Sequence, residues 1–259
     1  MEQNKNLLDD IHKSFSVQAA GFESEKMSFS KQDYLRHTVE EMHLQPTDRV
    51  LEAAAGTCAC GRSIAPYVAE VTCLDTTEAM LNIGRTEAQK AGLTNMNFVD
   101  GLVEDIPFAK ETFDIVLSRL AFHHFAGIEK PFAEMARVLK TGGKLVVIDM
   151  EAAEEALRER EDELERLRDF SHVKNRSAAE FLALYEKHGF TVVKEESTKI
   201  SVSLDAWLDL TKTAETERQI ITKALLEEIQ GGEKTGFAPY LEDGKIYFWQ
   251  RWILFIGIK

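Results

Sequence analysis

The residues from Val50 to Gly61, Val50-Leu51-Glu52-Ala53-Ala54-Ala55-Gly56-Thr57-Cys58-Ala59-Cys60-Gly61, join a strand-like run to a helix-like one through small side chains. Such a loop lets backbone N–H groups approach a ligand, and the positive end of the following helix favours negative charge. Gly56 supplies a backbone geometry that other residues adopt only at a cost. Small residues also serve simply to pack a helix on a strand, so the loop alone is weak evidence. A second element strengthens it. Val71-Thr72-Cys73-Leu74-Asp75 reads as a strand ending in a carboxylate about 20 residues beyond Gly56, where an acid accepts hydrogen bonds from both hydroxyls of an adenosine ribose. The competing role for Asp75 is the N-cap of a helix beginning near Glu78. With the loop upstream, ribose binding is the preferred role.

Three histidines are candidates for acid–base work, although no catalytic residue is assigned. His123 and His124 follow the fourth strand of the series, and an imidazole there suits a general base because its unperturbed pKa lies near neutrality. A structural or cofactor-side role is preferred for this pair. His172, in Asp169-Phe170-Ser171-His172-Val173, falls in a later region that could face a substrate. Cys58, Cys60 and Cys73 lack the spacing and the nearby histidines of a zinc set, which leaves small-residue packing and no metal. Trp249 and Trp252, three apart in a strand, point to opposite faces of a sheet.

The elements that must position these groups alternate along the chain. Strand signals fall at 49–53, 70–74, 96–99, 113–118 and 143–149, with helical stretches near 61–68, 77–91, 103–106 and 129–139 between them. Strands separated by crossover helices imply parallel pairing and helices on both faces. Residues 4–43 read as helical with a break around Gly21–Ser30. Gly142-Gly143 reads as the turn from a helix into the fifth strand. Residues 151–169, EAAEEALREREDELERLRD, are charged almost all round and predict a solvated helix. A helix at 177–188, a strand at 190–203, helices across 204–230 and a β-prone run at 246–258 follow, the two strands forming an antiparallel pair at the edge of the sheet. The organisation expected is a helical cap over 1–44, a ligand-binding core over 45–150, and a variable helical insertion with closing strands over 151–259.

With 259 residues, 44% of them hydrophobic, the chain can bury a core without staples. Thirty-one Lys and Arg against 44 Asp and Glu give a net charge of −13, which argues against general nucleic-acid binding. No apolar run reaches the length of a membrane span, and the start MEQNKNLLDDIHK is too polar for a signal peptide. A cytoplasmic location is expected; the oligomeric state is left open.

A third element makes the pattern specific: Gly101-Leu102-Val103-Glu104-Asp105-Ile106-Pro107-Phe108, followed by Phe113-Asp114-Ile115-Val116-Leu117-Ser118-Arg119. With Val50–Cys58, Leu74–Leu81, Phe113–His124 and Leu139–Asp149, the order of blocks resembles class I S-adenosylmethionine-dependent methyltransferases of the type 11 group, which includes the ubiquinone and menaquinone biosynthesis C-methyltransferases. The resemblance covers residues 45–150. It implies an α/β, Rossmann-like seven-stranded, mostly parallel sheet with an antiparallel edge pair, an N-terminal helical cap, S-adenosylmethionine as cofactor and a small-molecule acceptor. It also implies roles. Glu52 and the backbone of Ala54 and Gly56 meet the methionine part, and Asp75 holds the ribose. Thr76 and Met80 border the adenosine, the backbone of Val103 reaches the adenine edge, and Ser118 and Arg119 line the methionine side. Phe22 and Phe29 are candidates for an aromatic lid. Two positions depart from the pattern: Cys58 stands for the loop's last glycine, and Leu102 for the acid that accepts from the adenine amino group, with Asp100 or Glu104 as substitutes. Two other functions fit formally, a nicotinamide-dependent oxidoreductase and a non-catalytic binding protein of the same fold.

Overall fold

The computed structural model describes residues 11–18 and 32–259. Phe22 and Phe29 lie outside them. Residues 11–18 are helical, and α1 spans Gln32–Glu41. The core then alternates: β1 (Arg49–Ala53), α2 (Ala59–Ile64), β2 (Glu70–Asp75), α3 (Glu78–Lys90), β3 (Met96–Asp100), β4 (Phe113–Arg119), α4 (Glu129–Val138) and β5 (Leu139–Met150). Short 3₁₀ turns at Val103–Asp105 and Phe122–His124 follow β3 and β4. Beyond lie α5 (Glu155–Arg168), α6 (Ala178–Lys187), β6 (Thr191–Ser203), α7 (Leu204–Leu210), α8 (Glu215–Ile229), β7 (Tyr240–Glu242) and β8 (Lys245–Ile258). Among the described residues no helix is long and apolar enough to cross a membrane.

All the strands share one sheet, in the order β3-β2-β1-β4-β5-β8-β6, with the short β7 also on β8. β1 to β5 pair in parallel, and β8 runs against both β5 and β6. The antiparallel pair is the one the sequence suggests, but β8 is its inner member and β6 the edge. β7 and β8 form a hairpin whose turn, Asp243-Gly244, has both residues at positive φ, as an Asp-Gly hairpin turn requires.

Side chains alternate between two buried faces. Val50, Ile115, Leu117, Val146 and Ile148 enter one cluster; Leu51, Val116, Leu145 and Val147 enter the other. Strands buried on both faces read as continuous apolar runs, which is how the sequence signals them. Trp252 is buried and Trp249 stands on the open side. α4 stops at Val138 and the chain enters β5 at Leu139, ahead of the expected Gly142-Gly143 turn. The pairing with β4 then jumps from Phe113↔Leu139 to Ile115↔Lys144.

The helix expected to be solvated is not. In α5, Arg158, Glu161, Asp162 and Glu165 are buried beside Leu164. Glu161 accepts from the Ala153 N–H at 2.7 Å and from Arg251 at 2.6 Å. Asp162 accepts from His172 and from the Asn175 N–H at 2.8 and 2.9 Å, while Arg158 donates to the Asn175 carbonyl and to Glu180. Burial of these charges is tolerable because partners from distant segments replace water.

Candidate functional site

The strand order reverses between β1 and β4, and open α/β sheets bind ligands at the carboxyl ends of their strands at such a point. A cavity opens there. Its floor is the β1–α2 loop, where Ala54, Gly56 and Cys58 take left-handed φ of 54, 54 and 60°. A Cβ built on Gly56 would meet no atom within 4 Å, so the loop leaves open space above it. Cys58 points the other way, fully buried as the N-cap of α2. Its sulfur lies 2.8 Å from where a Cβ on Gly84 of α3 would stand, so the thiol occupies room that a helical glycine gives up.

Glu52, at the end of β1, lines the cavity and accepts from the Gly61 N–H at 2.8 Å. Burial pushes its carboxyl up to about 7, against the pull of the Gly61 N–H and the Arg119 charge. Asp75 ends β2 and ties the loop to it: one carboxylate oxygen accepts from the Gly56 N–H and the other from the Thr77 N–H, both at 2.8 Å. Thr77 is the N-cap of α3, so Asp75 does not occupy the capping position considered as its alternative. The Thr77 side chain adds a third bond, which leaves the carboxylate room for one further donor.

Thr76, Met80, Leu102 and Val103 continue the same wall. Thr76 meets the imidazole of His12, so the helical segment 11–18 closes over this end. Leu102 is 38% exposed and adds apolar surface where the family pattern has an acid. Of the two substitutes, Glu104 lines the cavity and Asp100 does not. Arg119 also lines it, with its guanidinium over the Trp252 ring at 5.2 Å. Ser118 is placed differently from its expected role. It is wholly buried in β4 away from the cavity, because the side chain next to Arg119 on a strand must face the opposite side of the sheet.

The fully buried Asp149, near the end of β5, organises the turn after β4. It accepts from the Ala121 N–H at 3.0 Å, the Phe122 N–H at 2.6 Å and His123 Nδ1 at 2.6 Å. Burial raises its carboxyl, but the His123 ring and the Met150 and Phe122 N–H groups leave it below the usual carboxylate value. His123 and His124 both line the cavity, their ring centroids 4.1 Å apart. His124 Nδ1 faces the Ser171 carbonyl at 3.0 Å, and burial, aided by His123, lowers its pKa to about 3. His172 does not reach the cavity; the buried Asp162 holds it.

Sequence reasoning missed the far end of the cavity. Phe15 and Gln18 come from the segment 11–18, Arg168 and Asp169 from the end of α5, and Val202, Trp207 and Leu210 from β6 and α7. Phe15 meets His124 edge to face at 4.9 Å. Gln18 and Ser14 donate to Asp169 at 2.9 and 2.8 Å, across about 150 residues of chain, so no local pattern signals the contact.

With this geometry in hand, comparison with known proteins is decisive. The model of a methyltransferase domain family matches residues 51–147. The uncharacterized methyltransferase YcgJ of Bacillus subtilis is 33% identical over 80% of this chain and 83% of its own length. The chain belongs to this methyltransferase family. The solved structure of YcgJ superposes with a TM-score of 0.80 over 88% of this chain and 98% of that one, at 29% identity. A putative methyltransferase from Bacillus halodurans gives the same score at 27% identity, covering 88% and 99% of the two chains. The ubiquinone/menaquinone biosynthesis C-methyltransferase UbiE of Shewanella pealeana is 33% identical, over only 44% of this chain and 47% of its own. The structural likeness to YcgJ thus extends over 88% of this chain, while the sequence match to UbiE covers 118 residues. The nicotinamide reading finds no support, because the antiparallel β8 lies where a dinucleotide-binding sheet carries further parallel strands.

Proposed function

We propose that the protein transfers a methyl group from S-adenosylmethionine to a small-molecule acceptor. The observation carrying this reading is that Glu52, Gly56, Asp75, Val103 and Arg119, contributed by the ends of four strands, line one cavity at the switch point. The residues fit the cofactor: Gly56 leaves open space, and Asp75 keeps acceptor capacity for a ribose hydroxyl. When bound, the cofactor supplies a methyl group on a cationic sulfonium. The chain aligns the acceptor and excludes water, which is most of what an in-line displacement requires.

For an acceptor that must shed a proton, His123 is the base of choice. Asp149 engages its Nδ1, which leaves Nε2 to take the proton, and the Asp149 carboxylate steadies the imidazolium that results. His124, kept neutral by burial and bonded to Ser171, packs beside it. Isothermal titration with S-adenosylhomocysteine should give one site per chain, and ligand at 100 times its dissociation constant should stabilise the fold by about 2.7 kcal/mol. Absence of both heat and thermal shift, or a response to NADH in its place, overturns the reading.

A further inference from the structure

The far end of the cavity combines apolar surface with an unusual imbalance of hydrogen-bonding groups. Trp207, Leu210 and Val202 supply the apolar part. Asp169 is the carboxylate at this end, and donors of the chain surround it: it takes bonds from the Ser14 hydroxyl, the Gln18 amide, the Ser171 N–H at 3.0 Å and the Ser171 hydroxyl at 2.6 Å. Three of these bonds fall on Oδ1 and the Gln18 bond on Oδ2, so the carboxylate is satisfied mainly by donors of the chain itself. Burial raises its carboxyl, but the Arg168 charge and the Ser171 bonds leave it well below the usual range, a settled anion.

Arg168 is in the opposite condition. Its side chain is only 11% exposed, and Nε donates to the Trp207 carbonyl at 3.3 Å with the guanidinium 5.0 Å above that indole ring. Its charged neighbours are Asp169, with which it makes no hydrogen bond, and Glu165, at 3.9 Å, beyond hydrogen-bond reach. Burial pushes the Glu165 carboxyl up to about 7, so near neutrality it offers Arg168 only part of a charge. Arg168 lines the cavity, and the other four N–H groups of its guanidinium make no hydrogen bond among the described residues. The Trp207 indole N–H, in the same wall, is also buried without a partner. A nearly buried cation with spare, planar donors matches an oxyanion bidentately.

We infer that the methyl acceptor carries an oxyanion, a carboxylate or a phosphate, which Arg168 binds while the acceptor's apolar body rests on Trp207. The inference rests on the methyl-transfer reading for the word acceptor, but anion binding at Arg168 is tested apart from it. Benzoate, phenyl phosphate, benzamide and benzylamine are titrated against the full chain by thermal shift, with and without S-adenosylhomocysteine. Benzoate or phenyl phosphate should raise the melting temperature, and the stronger of the two distinguishes carboxylate from phosphate; the uncharged amide and the amine should not. Arg168→Gln should weaken the anion response at least tenfold and Arg168→Lys less, both keeping the parent's far-UV circular dichroism and S-adenosylhomocysteine affinity. A response to benzylamine alone, no response to either anion, or an Arg168→Gln variant that binds anions like the parent overturns the inference. Loss of S-adenosylhomocysteine binding in the parent chain would sink the methyl-transfer reading and leave the anion result to stand or fall alone.

Discussion

Replacing Glu165 by glutamine should change how stability depends on pH while leaving the fold in place. Glu165 sits on the buried side of α5, and one of its oxygens has no hydrogen-bond partner. Burial pushes its carboxyl from 4.5 up to about 7, with Arg168 and His123 pulling the other way. In the unfolded chain the group ionises near its ordinary value. Between pH 4.5 and 7 the native state therefore holds a proton that the unfolded state has released, and stability falls as pH rises through that window. Each pKa unit is worth about 1.4 kcal/mol, so this residue alone removes about 3 kcal/mol by pH 7.5. Glutamine keeps the shape and cannot ionise. Urea unfolding of parent and Glu165→Gln at pH 4.5 and 7.5 isolates the contribution, because Glu52, which titrates in the same window, is common to both. The parent should lose about 3 kcal/mol more than the variant between the two conditions, on the order of 6–12 °C in melting temperature. Parallel losses in the two proteins would refute the argument and place an ordinary, hydrated carboxylate at this position.

Asp75→Ala should weaken S-adenosylhomocysteine binding by about 1.5–3 kcal/mol with unchanged far-UV circular dichroism, since charge-assisted hydrogen bonds are lost; binding at the parent's affinity would reduce Asp75 to a tie between loop and strand. Gly84→Ala should destabilise by about 1–3 kcal/mol although alanine is the better helix former, because its Cβ would fall 2.8 Å from Cys58 Sγ and 2.9 Å from the Thr57 carbonyl oxygen. Adding Cys58→Gly should restore only part of that loss, as the carbonyl contact stays; full additivity in chemical unfolding would show that the two sites do not touch. Leu102→Asp should tighten cofactor binding by up to about 1.5 kcal/mol in titration calorimetry, the position being solvated enough to carry a charge. A weaker complex with an intact fold would assign the adenine contact to Glu104.

The end of the cavity around Gly56 and Asp75 was legible because its signals are local. A strand, a small-residue turn and a helix start occupy 12 consecutive residues from Val50 to Gly61, and Asp75 needs only one further strand to reach Gly56. The far end was not, because its partners are remote: Arg168 beside Trp207, Ser14 on Asp169, Glu161 on Arg251. The charge pattern of α5 misled for the same reason. A helix with acids and bases all round is solvated unless other segments bring counter-charges, and nothing within 151–169 reveals that Arg251 and His172 do so. Ser118 was misplaced by one residue's alternation, a distinction that motif matching does not make and strand geometry does.

The place of β8 between β5 and β6 bears on the order in which the nascent chain can assemble. Each of β2 to β5 has a neighbour among strands already made, so five parallel strands can pair as they emerge from the ribosome. β6 cannot: its neighbour in the sheet is β8, which is completed only at Ile258. At about 5–20 residues per second, the 55 residues from Ser203 to Ile258 take roughly 3–11 s to synthesise. For that interval β6 is an unpaired ribbon, and Val202 and Trp207 have no wall to form. The end of the cavity built on β1 and β2 can thus take shape on the growing polypeptide, while the end lined by Val202 and Trp207 waits for the last strand to slot into the gap.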